Sequence, residues 1–104
     1  MNFMDKFKSF KEFYPYYLSE HSNPKTKLLH FIGTAISLCL FIYALYSQIY
    51  WLIPVGIIQG YAWAWVSHFF IEKNRPATFT YPRWSFMGDF VMFYEIILGK
   101  HRIF

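Results

Sequence analysis

Four histidines are the residues of this sequence best suited to chemistry: His21, His30, His68 and His101. His30 and His68 are equally distant from residue 49. A helical hairpin that turns near this residue would therefore place them at the same depth on facing helices. His21 lies a few residues before the first of these helices and can reach the same end of the hairpin. Because neutral imidazole is a common metal ligand, this spacing makes a metal site a candidate.

The distribution of charge predicts the helices that position these histidines. The sequence has no charged residue between Lys27 and Glu72, a gap of 44 residues. About 20 helical residues cross the ~30 Å hydrocarbon core of a bilayer, so the gap can hold two spans and a turn. We predict transmembrane helices at about residues 28–49 and 54–72, with Pro54 in the first turn of the second helix.

Composition agrees with one membrane domain over residues 1–104. The chain is 56% hydrophobic and only 15% charged, against about 25% charged in ordinary soluble domains. Its 25% aromatic content excludes disorder, and its single cysteine excludes a disulfide framework. The ten Lys and Arg residues flank the uncharged gap, so they do not indicate a nucleic-acid partner. They are typical of contacts with membrane lipid headgroups.

The basic flanks also predict the orientation. Lys and Arg lie on both sides of the hairpin and are missing from its turn, which places both termini in the cytoplasm by the positive-inside rule. No cleaved signal peptide is expected, since residues 1–27 have no apolar core. The expected location is integral and multi-pass, in a bacterial inner membrane or, for a eukaryotic source, the endoplasmic reticulum.

Two further segments complete the predicted all-α fold. Residues 1–18 carry aromatic residues at helical spacing, which predicts an amphipathic helix at the membrane interface, interrupted at Pro15. Residues 84–98 form a third apolar helix that is short for a span and contains Asp89 and Glu95. This helix is interfacial, re-entrant or packed against the others. A chain of this size could also complete its bundle as a homo-oligomer.

A row of small residues on the second predicted span should face the first. Gly56, Gly60, Ala64 and His68 recur every four residues, and Glu72 extends the row by one turn. Glu72 is therefore expected to be either a fourth metal ligand or, as we favour, a residue that orients His68. His101 is expected to be solvated in the basic C-terminal tail.

The segments YPYYLSEHSNPKTKLLHFIGT (14–34) and GYAWAWVSHFFIEKNRPATFTYPRWSFMGDF (60–90) resemble the membrane-bound Fe(II)-dependent 2-hydroxy fatty acid dioxygenases. The resemblance covers about residues 13–99. It implies that His21, His30 and His68 bind Fe(II), and it includes Asn23 and Asn74 in the matching motifs. The implied reaction uses O2 to shorten a 2-hydroxy fatty acid by one carbon, and the substrate itself supplies the electrons.

The implied chemistry suggests roles for other polar residues. Arg75 is our choice to hold the substrate carboxylate, because arginine binds carboxylates bidentately; Lys73 and Arg83 are the other cations nearby. Asp89 either accepts a hydrogen bond from a ligand histidine or is simply solvated. Asn23 and Asn74 either support the site or only form turns.

Two other functions compete with this interpretation. A b-type haem protein needs two histidines on facing helices, which His30 and His68 provide. A non-enzymatic hairpin that shapes membranes also fits the composition and topology, although it does not explain why three histidines gather at one end.

Overall fold

The structure, a computed structural model, describes residues 7–74 and 80–101, and every regular element in these residues is a helix. Helix α1 is Phe10–Ser19, α2 is Pro24–Ser47, α3 is Leu52–Val66 and α4 is Pro82–Ile97. Helix α3 continues directly into a π-helical segment, Ser67–Glu72. The predicted all-α fold is thus confirmed for the described part of the chain.

Helix α1 begins at a side-chain cap and continues through a proline. Ser9 Oγ accepts a hydrogen bond from the Glu12 backbone N–H at 3.2 Å. The predicted interruption at Pro15 is wrong, because α1 runs through this residue to Ser19. Pro15 lies on the exposed face of the helix, where water can satisfy the backbone carbonyl that loses its partner. Residues 1–6 of the predicted amphipathic segment lie outside the described residues.

Helix α2 is the long apolar helix of the fold. Asn23 caps its N-terminus by accepting from the Lys25 N–H at 2.9 Å, and Pro24 occupies the first turn. The helix therefore begins four residues before the predicted 28. The helix ends at Ser47, and the next residue, Gln48, has a φ of 62° that reverses the chain toward α3. Within the described ranges, α2 is the one helix long and apolar enough to cross a bilayer.

Helices α2 and α3 pack closely through small residues. A Cβ added to Gly33 would lie 3.0 Å from Trp63 Cβ, and one added to Gly60 would lie 2.9 Å from Ser37 Oγ. The Ser37 hydroxyl donates to the Gly56 carbonyl at 2.7 Å. The predicted small-residue row of the second helix thus faces α2. The predicted second span is divided, however, since regular α-helix stops at Val66 and π-helix completes it.

Helix α4 covers one side of this hairpin and holds α1 in place. Pro82 occupies its first turn. Phe13 and Tyr17 of α1 are buried against Met92 and Ile96 of α4, and they form the main apolar cluster. Aromatic stacking between α2 and α4 adds a second contact, with ring centroids of Phe31 and Phe93 4.7 Å apart. Of the three placements considered from the sequence, α4 is therefore a packed helix.

Candidate metal centre

Three histidines from three different parts of the chain meet between α1, α2 and the π-helical segment. His21, His30 and His68 are 1%, 5% and 2% exposed. One ring nitrogen of each lies within 4.8 Å of one ring nitrogen of the other two. The structure therefore brings together all three histidines that the sequence singled out as ligands.

His21 lies in the turn after α1, and the last turn of that helix orients its ring. Its Nδ1 is 2.6 Å from the Tyr17 carbonyl oxygen, and its ring stacks on the Tyr17 ring with centroids 4.1 Å apart. A carbonyl can only accept, so Nδ1 carries the proton and Nε2 keeps a lone pair. Burial, followed by the proximity of His30 and His68, holds the pKa of His21 well below its usual value. The ring is therefore neutral, as a metal ligand must be.

His68 lies on the π-helical segment, and Asn74 orients it. Its Nδ1 is 2.7 Å from Asn74 Oδ1, while the Asn74 amide donates to the Glu20 backbone carbonyl and side-chain carboxylate at 3.2 and 3.0 Å. These two acceptors fix the amide orientation, so Nδ1 of His68 donates and Nε2 keeps a lone pair. Lys73, with a φ of 57°, turns the chain so that Asn74 reaches back. Asn74 thus makes the contact that orients His68, a role that was expected of Glu72 from the sequence.

His30 enters the cluster from the second turn of α2. Its Nδ1 lies 3.4 Å from Asp89 Oδ1 on α4, and the Tyr17 hydroxyl donates to the same carboxylate oxygen. Among the described residues, Nε2 of His30 is buried without a hydrogen-bond partner. An unpaired buried nitrogen is costly in a folded protein. Asp89 therefore stands beside a candidate ligand and is not simply a solvated helix carboxylate.

His21 and His68 share one arrangement, in which Nδ1 faces a protein acceptor and Nε2 faces the other ring. Nε2 of His21 and Nε2 of His68 are only 3.0 Å apart. With both Nδ1 atoms protonated, no proton is left to bridge this pair, so two lone pairs face each other. A cation held by the three histidines would remove that repulsion, and His30 also has a buried nitrogen without a partner. The donor set therefore fits a metal ion.

Glu72 directs its carboxylate to the turn between α1 and α2. It accepts hydrogen bonds from the Asn23 backbone N–H at 2.7 Å, the Thr26 hydroxyl at 2.7 Å and the Ser22 hydroxyl at 3.1 Å. In this position it fastens the end of the π-helical segment to the turn that carries His21. The expectation that it binds the metal or orients His68 differs from this geometry. The π-helical segment changes the direction in which Glu72 points, whereas the sequence pattern assumed a regular α-helix through this residue.

The other predicted residues that the structure describes lie outside the cluster. Asn23 serves as the cap of α2 and as a donor to Glu72. Arg75 lies outside the described residues, and Arg83 is exposed at the start of α4. His101 is not simply solvated, because its Nε2 lies 2.8 Å from Glu95 Oε1.

Sequence reasoning missed two residues that build the site, Tyr17 and Glu20. From the sequence, Tyr17 belongs only to the aromatic stripe of the amphipathic segment. In the structure its carbonyl and ring contact His21, and its hydroxyl donates to Asp89. Its spacing of four residues from His21 was the available signal, since such pairs meet on a helix. Glu20 gave no signal, because its contact with Asn74 joins residues 54 positions apart.

Comparison with known proteins adds the family. No match was found among curated proteins, and none among solved structures. A family model described as 2-hydroxy-palmitic acid dioxygenase Mpo1-like matches residues 7–101, which include all three clustered histidines and nearly the whole chain. The chain therefore belongs to the Mpo1-like family of 2-hydroxy-palmitic acid dioxygenases.

Proposed function

We propose that the chain is an Fe(II)-dependent dioxygenase that converts a 2-hydroxy fatty acid to the fatty acid one carbon shorter. The observation that carries this proposal is the convergence of three buried imidazoles, with Nε2 of His21 and Nε2 of His68 3.0 Å apart and Nε2 of His30 without a hydrogen-bond partner among the described residues. Membership of the family contributes the substrate class. Iron is favoured because nitrogen-rich sites with open positions are typical of non-haem Fe(II) oxygenases.

The reaction balances without a further electron donor. A 2-hydroxy acid, R–CH(OH)–COOH, and O2 give R–COOH, CO2 and water. The bond between C1 and C2 breaks, C2 becomes the new carboxyl carbon and C1 leaves as CO2. The substrate loses four electrons and O2 gains them, so 2-oxoglutarate is not required. Bound Fe(II) would supply one-electron steps to O2 and chelate the substrate's carboxylate and 2-hydroxyl.

The chain's own residues prepare this chemistry. The Tyr17 carbonyl oxygen and Asn74 hold the protons of His21 and His68 on Nδ1, so their Nε2 atoms are available to a metal, and Asp89 lies 3.4 Å from Nδ1 of His30. Such partners fix ligand orientation and increase ligand basicity. Among the described residues that line the histidine pocket, Asp89 is the one carboxylate, with a side chain 20% exposed. It can accept the proton of the substrate's 2-hydroxyl. We retain Arg75 as the proposed partner of the substrate carboxylate.

We also propose that the protein is integral to the membrane with two spans. Helix α2 satisfies the length and composition of a span. Helix α3 and the π-helical segment together cover Leu52–Glu72, which is also about the length that a bilayer requires. Large apolar side chains face outward on both, including Ile42 at 67% exposed and Ile58 at 68%. The lack of basic residues in the turn supports cytoplasmic termini. A fatty acid in the bilayer would then present its carboxylate near the histidines.

The two competing functions fit the site less well. A haem between His30 and His68 would need the space that the His21 ring fills, since this ring has its centroid 4.3 and 4.5 Å from theirs. A hairpin that only shapes membranes does not explain why three buried histidines converge.

The test is turnover by purified protein loaded anaerobically with Fe(II) and then given O2 and 2-hydroxypalmitate. We expect one pentadecanoic acid formed and one O2 consumed per substrate. The His68→Ala variant should lose this activity, whereas His101→Ala, which removes a histidine outside the cluster, should keep it. Iron-loaded protein that forms no shortened acid would refute the proposed reaction.

A further inference from the structure

A narrow groove leads away from the histidine cluster along α2. Its floor is formed by His30, Thr34, Ser37 and Phe41. These residues are spaced by four, three and four positions, so they lie on one face of the helix. The groove therefore follows the long axis of α2 toward the hairpin turn.

The walls of this groove come from α3 and α4, and they become apolar away from the histidines. Ile57, Gly60 and Tyr61 line it on α3, whereas Phe86 and Phe90 line it on α4. Asp89 closes the polar end beside the histidine cluster. The space enclosed on all sides is about 30 Å³ and becomes about 390 Å³ only when the open side is counted, so the feature is an open groove and not a closed cavity. Its far end is lined by the hydrocarbon side chains of Phe41 and Ile57.

We propose that this groove, lined by residues of α2, α3 and α4, binds the acyl chain of the substrate, with C1 and C2 at the histidines and the chain running toward Phe41. The inference rests on the proposed function and adds to it a binding site for the chain. Its first support is continuity, because His30 and Asp89 line both the histidine pocket and the groove. A carboxylate bound beside the histidines would thus have an apolar path along which its own chain can lie.

The second support is that the polar Ser37 side chain in the floor of the groove already has a hydrogen-bond partner. The Ser37 hydroxyl donates to the Gly56 carbonyl at 2.7 Å, so its polarity is satisfied by the hairpin. Gly60 lets α3 pack closely on α2 here, since a Cβ at this position would lie 2.9 Å from Ser37 Oγ, and it adds no side chain of its own to the groove. A methylene chain therefore meets no unpaired polar atom at this point.

The third support is length. From His30 to Phe41 the helix rises about 16 Å, at about 1.5 Å per residue. Each carbon of an extended chain adds about 1.3 Å, given C–C bonds of about 1.5 Å. The groove is thus long enough to run beside roughly 12 carbons, and longer chains would extend past Phe41 among the bilayer lipids. Chain positions beyond this point should matter little to binding.

A pair of neighbouring substitutions tests the groove. Ile57→Trp fills its far part, whereas Ile58→Trp adds the same side chain to the outer face, where Ile58 is 68% exposed. We expect Ile57→Trp to reduce turnover of 2-hydroxypalmitate about tenfold or more while sparing 2-hydroxyoctanoate, whose chain ends before the added ring. Ile58→Trp should leave both unchanged. Equal effects of Ile57→Trp on both chain lengths would contradict the proposal.

A photolabelling experiment separates this inference from the proposed reaction, since it needs no turnover. The probe is a 2-hydroxy fatty acid with a diazirine near carbon 12, added to the Fe(II)-loaded protein without O2. We expect labelling at Phe41 or Ile57, which excess 2-hydroxypalmitate prevents and excess phospholipid does not. Labelling confined to the outer face at Ile42 and Ile58, or equal competition by phospholipid, would overturn the groove. Groove labelling in a protein without activity would refute the reaction alone.

Discussion

Removing Asn74 should weaken metal binding although this residue is not itself a ligand. Its Oδ1 accepts from His68 Nδ1 at 2.7 Å. In an Asn74→Ala variant the buried N–H loses its acceptor, at a cost of about 1–3 kcal/mol. The imidazole avoids this cost by moving its proton to Nε2, which removes the lone pair that the metal needs. We expect a 10- to 100-fold loss of affinity, the usual range for such partners, equivalent to about 1.4–2.7 kcal/mol.

The assay is titration of the metal-free protein with Fe(II) under anaerobic conditions, in competition with a chelator of known affinity. Gln59→Ala is the matched control, because Gln59 donates similar amide hydrogen bonds to the Gly33 carbonyl and Ser37 within the hairpin. The control should lose stability and keep its metal affinity. Unchanged affinity in Asn74→Ala, or an equal loss in Gln59→Ala, would refute the assignment of Asn74 as the residue that orients His68.

Two other predictions concern the residues that hold the fold around the site. Glu72→Ala removes three hydrogen bonds to the turn that carries His21; a net loss of about 1 kcal/mol would lower Tm by about 4–8 °C. Glu72→Gln keeps an acceptor and should lose less, and the reverse order in thermal unfolding would contradict this role. Burial alone would raise the pKa of Glu95, but hydrogen bonds from Tyr14 and His101 together lower it. The stability Glu95 contributes is therefore present above the ordinary glutamate pKa of about 4.3 and is lost as the pH falls through the lowered value. Glu95→Gln should flatten the pH dependence of unfolding in this acid range, and an unchanged profile would count against it.

The sequence was sufficient to predict which histidines meet, for a simple physical reason. His30 and His68 are placed symmetrically about the hairpin turn, and His21 lies only three residues before the start of α2. These constraints depend on chain length and helix geometry alone. The resemblance to the dioxygenase family pointed to the same three residues, and the family match covers all of them.

The orientation of side chains around the cluster could not be predicted in the same way. A regular helix through Glu72 would have pointed its carboxylate along the His68 row, whereas the π-helical segment carries it to the Thr26 side. Likewise, the path of α1 depends on packing of Phe13 and Tyr17 against α4, which outweighs the local cost of Pro15. Such long-range contacts leave no periodic signal in one sequence.

Metal content measured on anaerobically purified protein tests the central claim most directly. After loading with Fe(II) and removal of excess metal, the account predicts close to one iron per chain in the wild type and in His101→Ala. His21→Ala, His30→Ala and His68→Ala should each retain much less. A wild type that holds no iron after loading, or three cluster variants that hold as much as His101→Ala, would contradict the metal centre and the reaction built on it.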